Sequence, residues 1–288
     1  MTSDQRIGVM FDRAWAPEQL PGFAREMERI GVDELWVVED LGWNAGVSAA
    51  AAALGATERL RVGIGITPAP LRNAALLAME LATLERIFPG RLVAGVGHGV
   101  QGWMESVGAR ARSPLSLLEE TVTAVRALLR GERVELVGRE VRIDGLELVH
   151  PPAEAPPVVA GVVQPKSLAL AGRVADGTIV AEGHGPDDLA RAWEFIARKP
   201  EEHLLTVFTF LCLAESADAA RRAAGPTLTG QAAWLGRDPA DVYSAFGPAP
   251  EAASRVRALW RAGARSVVLR PVGPEPVTQV AQILPHLM

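Results

Sequence analysis

Residues 7–38, IGVMFDRAWAPEQLPGFAREMERIGVDELWVV, contain a strand, a helix and a second strand in succession. The apolar runs Ile7–Phe11 and Leu35–Val38 have the length of buried strands. Between them, Pro17 opens a stretch whose apolar side chains recur with a helical period until Gly31, a residue that favours helix termination. Since neighbouring parallel strands need such a crossover, this segment predicts a β-α-β unit.

Short apolar runs of the same kind recur along the rest of the chain, with helical stretches between most of them. Eight units of strand and helix close into a barrel, so we predict an α/β fold, a (β/α)8 TIM barrel. An open doubly wound sheet is the alternative, but its strands usually number fewer and no Gly-x-Gly-x-x-Gly opens the first helix. The other six predicted strands are Leu60–Ile66, Leu92–Val96, Val158–Val162, Gly177–Ala181, Leu204–Leu213 and Ser266–Leu269.

Two segments interrupt this alternation. Glu132–Val149 has the pattern of a β-hairpin inserted after strand four, and we expect it to cover part of the barrel mouth. Ala219–Pro250 holds several Gly and Pro residues and predicts an irregular or broken-helical insertion after strand seven, where long insertions often form lids. One helix is predicted from about Asn73 to Ile87, closed by Phe88–Gly90, and another begins at Ser113, which is expected to cap it. The whole chain, 1–288, is expected to form one domain.

Composition excludes several classes of protein. The charge balance, 29 basic against 34 acidic residues, is −5 with the basic residues scattered, so we expect no nucleic-acid partner. Cys212 is the one cysteine, which rules out an intrachain disulfide and a cysteine metal cluster, and we predict no metal site. Met1–Arg6 is polar and no apolar run is long enough to cross a bilayer, so we expect a cytoplasmic protein without membrane contact.

Candidate catalytic residues follow the predicted strands, because the active site of such a barrel is built at the carboxyl ends of its strands. His98 stands among the glycines of Gly95–Gly99, with an imidazole that donates or accepts near neutral pH. Glu39 and Asp40 end strand two, where burial could raise a carboxyl pKa and permit proton transfer, although a helix cap is the alternative. The predicted catalytic residues are His98, Asp40 and Glu39.

Two glycine-containing stretches indicate ligand contact. Gly63 and Gly65 are unfavourable in a buried strand unless the backbone bends or a flat ligand packs there, with relief of crowding inside the barrel as an equal alternative. Gly161–Leu168 runs from a strand into a helix, so its amides, the helix dipole and Lys166 favour an anion such as phosphate. The alternative is an ordinary helix start with an exposed lysine. Other rim candidates are Asp12, Trp15, Trp43 and Trp103.

Four stretches carry a family resemblance: Gly31–Asp40, Glu58–Pro68 with Arg72–Asn73, Pro89–Gly99 and Pro165–Gly177. Together they resemble the bacterial luciferase-like superfamily, in particular its branch of reductases that use the deazaflavin coenzyme F420, such as methylenetetrahydromethanopterin reductase. The resemblance covers nearly the whole chain. It implies an oxidoreductase that transfers a hydride between reduced coenzyme F420 and a small organic acceptor.

The resemblance also assigns residues. It implies a non-prolyl cis peptide at Gly65–Ile66 against the central ring of the coenzyme, with the Gly97–Gly99 turn beside the ring. It implies contacts of Gly161, Val162 and Lys166 with the coenzyme phosphate. The full set of predicted cofactor-binding residues is Asp12, Trp43, Gly65, Ile66, Thr67, Asn73, Gly97, Gly161, Val162, Val163, Lys166 and Ser167.

One departure from the family leaves the proton donor open. Many relatives carry histidine after the acidic residue that ends strand two, whereas Glu39 is followed here by Asp40 and Leu41. His98, Asp40 or solvent could supply the proton instead. An FMN-dependent monooxygenase and a non-catalytic flavin-binding protein are the alternative functions. The small-residue helix Val47–Gly55 resembles the surface on which family dimers pack, which implies a homodimer.

Overall fold

A computed structural model describes residues 5–287 of the chain. Strands and helices alternate along most of it. The strands are β1 Arg6–Met10, β2 Glu34–Val37, β3 Arg61–Pro68, β4 Leu92–Gly97, β5 Val134–Val137, β6 Arg142–Leu146, β7 Val158–Gly161, β8 Gly177–Val180, β9 Leu204–Leu213, β10 Ser244–Gly247 and β11 Ser266–Pro271. The helices are α1 Leu20–Ile30, α2 Gly46–Gly55, α3 Ala74–Ile87, α4 Gln101–Ser106, α5 Pro114–Leu129, α6 Pro165–Val174, α7 Pro186–Ile196, α8 Ala217–Ala223, α9 Gly225–Leu235, α10 Ala249–Arg261 and α11 Pro276–Ile283.

Eight of these strands close into a parallel barrel. Its order is β1, β2, β3, β4, β7, β8, β9, β11, and β11 pairs with β1 to complete the ring. Each of the eight predicted runs coincides with one of these strands to within a few residues, and the prediction of a TIM barrel is confirmed. The single domain predicted for 1–288 stays a prediction, and residues 1–4 and 288 lie outside the described residues.

The core has an inner part within the barrel and an outer part between the barrel and its helices, because successive side chains of a strand point to opposite faces. Trp36 and Phe208 fill the inside, with ring centroids 5.5 Å apart in an edge-on arrangement. A Cβ on Gly63 would lie 2.4 Å from the Trp36 ring. Gly63 is therefore there to relieve crowding, which was the alternative to a ligand contact at this position.

The amino end of the barrel is closed by a buried carboxylate. Glu34 accepts hydrogen bonds from Trp36 Nε1 at 3.0 Å, from the Ser266 hydroxyl at 2.6 Å and from Arg61 Nη1 at 3.2 Å. Arg6 Nη1 lies 3.7 Å from the same carboxylate. The first residues of four strands thus meet at one charge, and two arginines compensate it.

The first insertion forms an antiparallel hairpin of β5 and β6. It packs along α5, where the Glu120 carboxylate accepts the backbone N–H groups of Arg139, Glu140 and Val141. Since this anchor holds the hairpin outside the barrel, none of its residues lines the cavity at the mouth. The expectation that it covers the mouth was wrong.

The second insertion is more regular than its glycines and prolines suggest. It contains α8, α9 and the parallel strand β10, which pairs with Phe210–Leu213 in the second half of β9. The first half of β9, Leu204–Val207, pairs with β8. Because β9 extends beyond the short β8, its free edge is available to β10, and covering such an edge is favourable. The broken-helical form of the prediction describes α8 and α9, whereas the strand β10 was not predicted.

Helix ends follow local chemistry in part. Gly31 ends α1 with φ of 89°, and the Asn73 side chain accepts the Ala75 N–H to cap α3. Ser113 makes no such capping bond, because its hydroxyl pairs with that of Ser116 at 2.8 Å. Within residues 5–287, the helices are all too short or too polar to span a membrane.

Candidate active site

A cavity of about 330 Å³ opens at the carboxyl ends of the barrel strands. This is the end at which barrels of this class carry their sites. Most of its wall is apolar, and a few polar side chains converge on it. Its lining residues are Met10, Val38, Glu39, Asp40, Gly65, Ile66, Pro68, His98, Gly99, Val100, Trp103, Met104, Gly161, Val162, Val163, Gln164, Ser167, Ile179, Ala181, Glu182, Phe208, Trp234 and Arg270.

The Gly65–Ile66 peptide lines this cavity, and its bond is cis, as the family resemblance implied. The Ile66 side chain lies over two glycines of neighbouring strands. A Cβ on Gly161 would be 2.4 Å from Ile66 Cγ2, and a Cβ on Gly97 would be 3.0 Å from Ile66 Cδ1. These two glycines therefore make room for Ile66, and Gly97 is buried behind it without lining the cavity.

His98 and Ser167 form a polar pair in the wall of the cavity. His98 Nε2 lies 3.0 Å from the Ser167 hydroxyl, and the tautomer decides which atom donates. Burial lowers the pKa of His98, and the backbone of Pro114 offsets this only in part. Nδ1 is buried and has no hydrogen bond of normal geometry with the described residues. The lowered pKa favours the neutral imidazole, and Nδ1 is the ring nitrogen without a well-formed hydrogen bond.

The amino end of α6 adjoins this pair. Gln164 precedes the helix and makes no side-chain cap, so the first-turn amides are not satisfied by it. Lys166 is exposed and makes no hydrogen bond or ion pair with other residues in the described part of the chain. Val162, Val163 and Ser167 line the cavity on the same side. The Val162 N–H is not available to a ligand, because it donates to the Ile179 carbonyl within the barrel.

Both predicted catalytic carboxylates lie on the cavity wall, and both are paired with arginine. Glu39 is buried, accepts the Gly46 N–H at 2.6 Å and forms an ion pair with Arg72. It therefore fixes the start of α2, in keeping with the helix-cap alternative. Asp40 forms an ion pair with Arg13.

Several predicted cofactor residues lie off the cavity. Asp12 accepts hydrogen bonds from Ala14 N and Arg270 Nε, both at 2.9 Å. Trp43 is 51% exposed. The Arg13 guanidinium carbon lies over its ring, 5.3 Å from the ring centroid. Four more lie off the cavity: Thr67, Asn73, Gly97 and Lys166. The buried Thr67 hydroxyl lacks a partner among the described residues, and Asn73 caps α3.

Of the other rim candidates, Trp103 lines the cavity from α4. Trp15 instead packs against Phe11 and Phe23, with ring centroids 5.2 Å away in both cases. It belongs to the outer core.

Sequence reasoning missed Arg270. It directly follows the last predicted strand, so the rule that singled out Glu39 and His98 could have found it. It lies between two carboxylates, with Nε 2.9 Å from Asp12 Oδ2 and Nη1 3.1 Å from Glu182 Oε1. Burial opposes its charge, but Glu182 and Asp12 more than offset this and raise its pKa. Trp234 of α9 also reaches the cavity, as expected of a lid-forming insertion.

Comparison with known proteins now identifies the family. The family model described as luciferase-like monooxygenase matches residues 5–282. The chain belongs to the luciferase-like monooxygenase family. The predicted recognition is thereby confirmed, and so is the assignment to a family of oxidoreductases.

Two relatives extend this result. A 5,10-methylenetetrahydromethanopterin reductase of Methanolobus tindarius is 29% identical over 75% of this chain and 67% of its own length. An F420-dependent glucose-6-phosphate dehydrogenase of Nakamurella multipartita is 32% identical over 60% of this chain. The chain spans only about half of that second relative, 54%.

A solved structure shares the fold. The coenzyme F420-dependent tetrahydromethanopterin reductase of Methanopyrus kandleri superposes with a TM-score of 0.87, covering 99% of this chain and 100% of that one. At 19% identity this likeness concerns the fold alone.

Proposed function

We propose that this protein transfers a hydride between reduced coenzyme F420 and a small organic acceptor bound in the mouth cavity. The observation that carries the proposal is the cavity itself, whose wall brings together the Gly65–Ile66 edge, the His98–Ser167 pair and the uncapped start of α6. The Nakamurella relative, which is named for an F420-dependent reaction, supports the same cofactor.

The residues present fit such a coenzyme. The apolar floor of Ile66, Ile179 and Phe208 suits an aromatic ring system, and about 330 Å³ lies in the range of small-ligand pockets. The open amides of α6 and the unpaired Lys166 suit a phosphate. When bound, coenzyme F420 supplies the hydride chemistry.

His98 would donate or accept the proton that accompanies hydride transfer. Because burial lowers the pKa of His98 and favours the neutral imidazole, the ring can hold a proton on one nitrogen and accept one on the other. Ser167 fixes the ring through Nε2. The tryptophans Trp103 and Trp234 would exclude water from the acceptor. Glu39 would act by positioning α2, since both of its oxygens are engaged.

A binding titration tests the cofactor assignment. Purified protein is titrated with coenzyme F420 and, separately, with FMN, and binding is followed by fluorescence. We expect coenzyme F420 to bind more tightly, and Lys166→Ala to weaken its binding about tenfold by removing a charge-assisted phosphate contact. Lys199→Ala, which removes the chain's other lysine from an exposed position, is the matched control. Tighter FMN binding, or equal binding by Lys166→Ala, would contradict the assignment.

A second experiment tests the role of His98. We expect His98→Gln to lower kcat roughly 10²-fold or more while the coenzyme Kd stays within about threefold, as for loss of a proton-transfer group. His150→Gln, a substitution of an exposed histidine, is the control. An unchanged kcat in His98→Gln would leave proton supply to solvent or Asp40.

We also propose a homodimer. Besides the small-residue α2, the neighbouring α3 exposes Leu76, Met79 and Ile87 to 48%, 54% and 61%. These positions fall on one side of the helix, and such an apolar stripe is typical of a covered surface. Sedimentation should give a dimer for the native chain and a monomer for Met79→Glu.

A further inference from the structure

Arg270 stands alone as a permanent cation of the cavity. Among the described residues that line the cavity, no other is an arginine or a lysine. An acceptor with a phosphate or carboxylate group would therefore have to use Arg270, unless it took the coenzyme phosphate position at α6. The state of Arg270 thus decides which charge of acceptor the cavity can hold.

Arg270 already forms ion pairs with two carboxylates. Asp12 accepts from Nε at 2.9 Å and Glu182 accepts from Nη1 at 3.1 Å. The guanidinium also lies over the Phe210 ring, 5.5 Å from its centroid. The three side chains together carry one net negative charge. A ligand anion would be the third carboxylate or phosphate around a single guanidinium and would meet repulsion from the first two.

The neighbouring arginines also form ion pairs with carboxylates. Arg72 is paired with Glu39 and with Glu80, and Arg13 is paired with Asp40. Neither lines the cavity. The rest of the wall is mainly apolar, and its other carboxylates, Glu39 and Asp40, are the partners of these arginines.

We infer that the acceptor is an uncharged, largely apolar organic molecule, and that Asp12 and Glu182 exclude anionic acceptors by neutralising Arg270. The inference rests on the proposed function in treating the bound molecule as the hydride acceptor. The charge preference is a property of the cavity itself. It separates this chain from the Nakamurella relative, which is named for a phosphorylated sugar. Asp12 and Glu182 are positioning residues in this role, since they act through Arg270.

The test measures binding without coenzyme, using benzyl alcohol as the neutral probe and benzoate as the anion of matched size. Ligand-observed NMR titration gives both affinities. The native protein should favour benzyl alcohol about tenfold or more, since like charges disfavour benzoate. Glu182→Gln should shift the ratio toward benzoate by about tenfold, and Asp12→Asn should do the same if the first variant folds poorly. Glu135→Gln, whose side chain is 74% exposed, is the control.

A further variant identifies the group responsible. Adding Arg270→Met to Glu182→Gln should abolish the gain in benzoate binding. Three results would overturn the inference: benzoate binding at least as tightly as benzyl alcohol, an unchanged ratio in both carboxylate variants, or no binding of either probe to any of these proteins.

The coenzyme titration on the same preparation keeps the two proposals apart. A neutral preference without coenzyme binding refutes only the hydride-transfer proposal. Coenzyme binding with a benzoate preference refutes only the inference about acceptor charge.

Discussion

The two ends of the barrel carry charge clusters of opposite design. At the amino end one carboxylate, Glu34, is surrounded by Arg6, Arg61 and two neutral donors. At the carboxyl end one guanidinium, Arg270, is held by Asp12 and Glu182. The Glu34 side chain is 3% exposed, whereas Arg270 is 18% exposed and lines a cavity.

This difference separates stability from ligand selection. Buried donors that lose a sealed acceptor have no water to replace it, so the Glu34 cluster contributes to the stability of the barrel. A charge on a cavity wall can be resolvated, so its partners can instead set which ligands are tolerated. The same barrel interior thus supports a structural role at one end and a selective role at the other.

The largest effect is expected from Glu34→Ala. It strips the acceptor from the buried Trp36 Nε1 and Ser266 hydroxyl and removes the carboxylate partner of the partly exposed Arg61, so unfolding free energy should fall by about 3–5 kcal/mol. Urea denaturation measures it, with Glu135→Ala as an exposed control expected to stay within about 0.5 kcal/mol. A loss below about 1 kcal/mol would mean that the amino end is not sealed.

The next effect concerns His203, which is 2% exposed at the amino end, with Nε2 2.8 Å from the Thr178 hydroxyl. Burial, with a smaller contribution from Arg198, lowers its pKa from 6.5 to about 4. Between these two pH values the unfolded chain binds the proton and the folded one does not. Stability that is present above pH 6.5 is therefore lost as the pH falls toward 4, on the order of 3 kcal/mol from this group.

His203→Gln removes that titration. Its unfolding free energy should fall less steeply than that of the native chain between pH 7 and 4.5, which denaturation at a series of pH values would show. His98 and His184, whose pKa values burial also lowers, add a drop of the same sign in both proteins. Parallel pH profiles would show that the pKa of His203 is the same in the folded and unfolded chains.

Arg270→Met tests the open end of the comparison. It leaves Asp12 and Glu182 without their cation, but Glu182 borders a cavity that water can enter, so we expect a loss of about 1–2 kcal/mol. The same denaturation assay applies. A loss as large as that of Glu34→Ala would remove the distinction between the two ends.

The smallest effect is expected for Lys166→Ala. An exposed side chain that has no partner in the described part of the chain should change unfolding free energy by less than about 0.5 kcal/mol, even where the proposed coenzyme contact is lost. A larger loss of stability would mean that Lys166 contributes to the fold.

How far the sequence leads can be judged from particular residues. Strand runs such as Leu35–Val38 and the end of α1 at Gly31 depend on patterns of a few residues, so they were predictable. The segment β10 was not, because only the free edge of β9 makes a strand of it. The position of His98, Glu39 and Asp40 on the cavity wall was predictable because each lies within three residues of the carboxyl end of a strand.

By itself, then, the sequence determined the barrel, the end that bears the cavity and most of the polar groups near it, because all of these follow from local periodicity and strand direction. Only the tertiary structure decided that Ile66 covers Gly97 and Gly161, and that Asp12 and Glu182 neutralise Arg270. Those contacts join strands far apart in the chain. They exist only once the barrel closes and sets which side chains face each other across its interior.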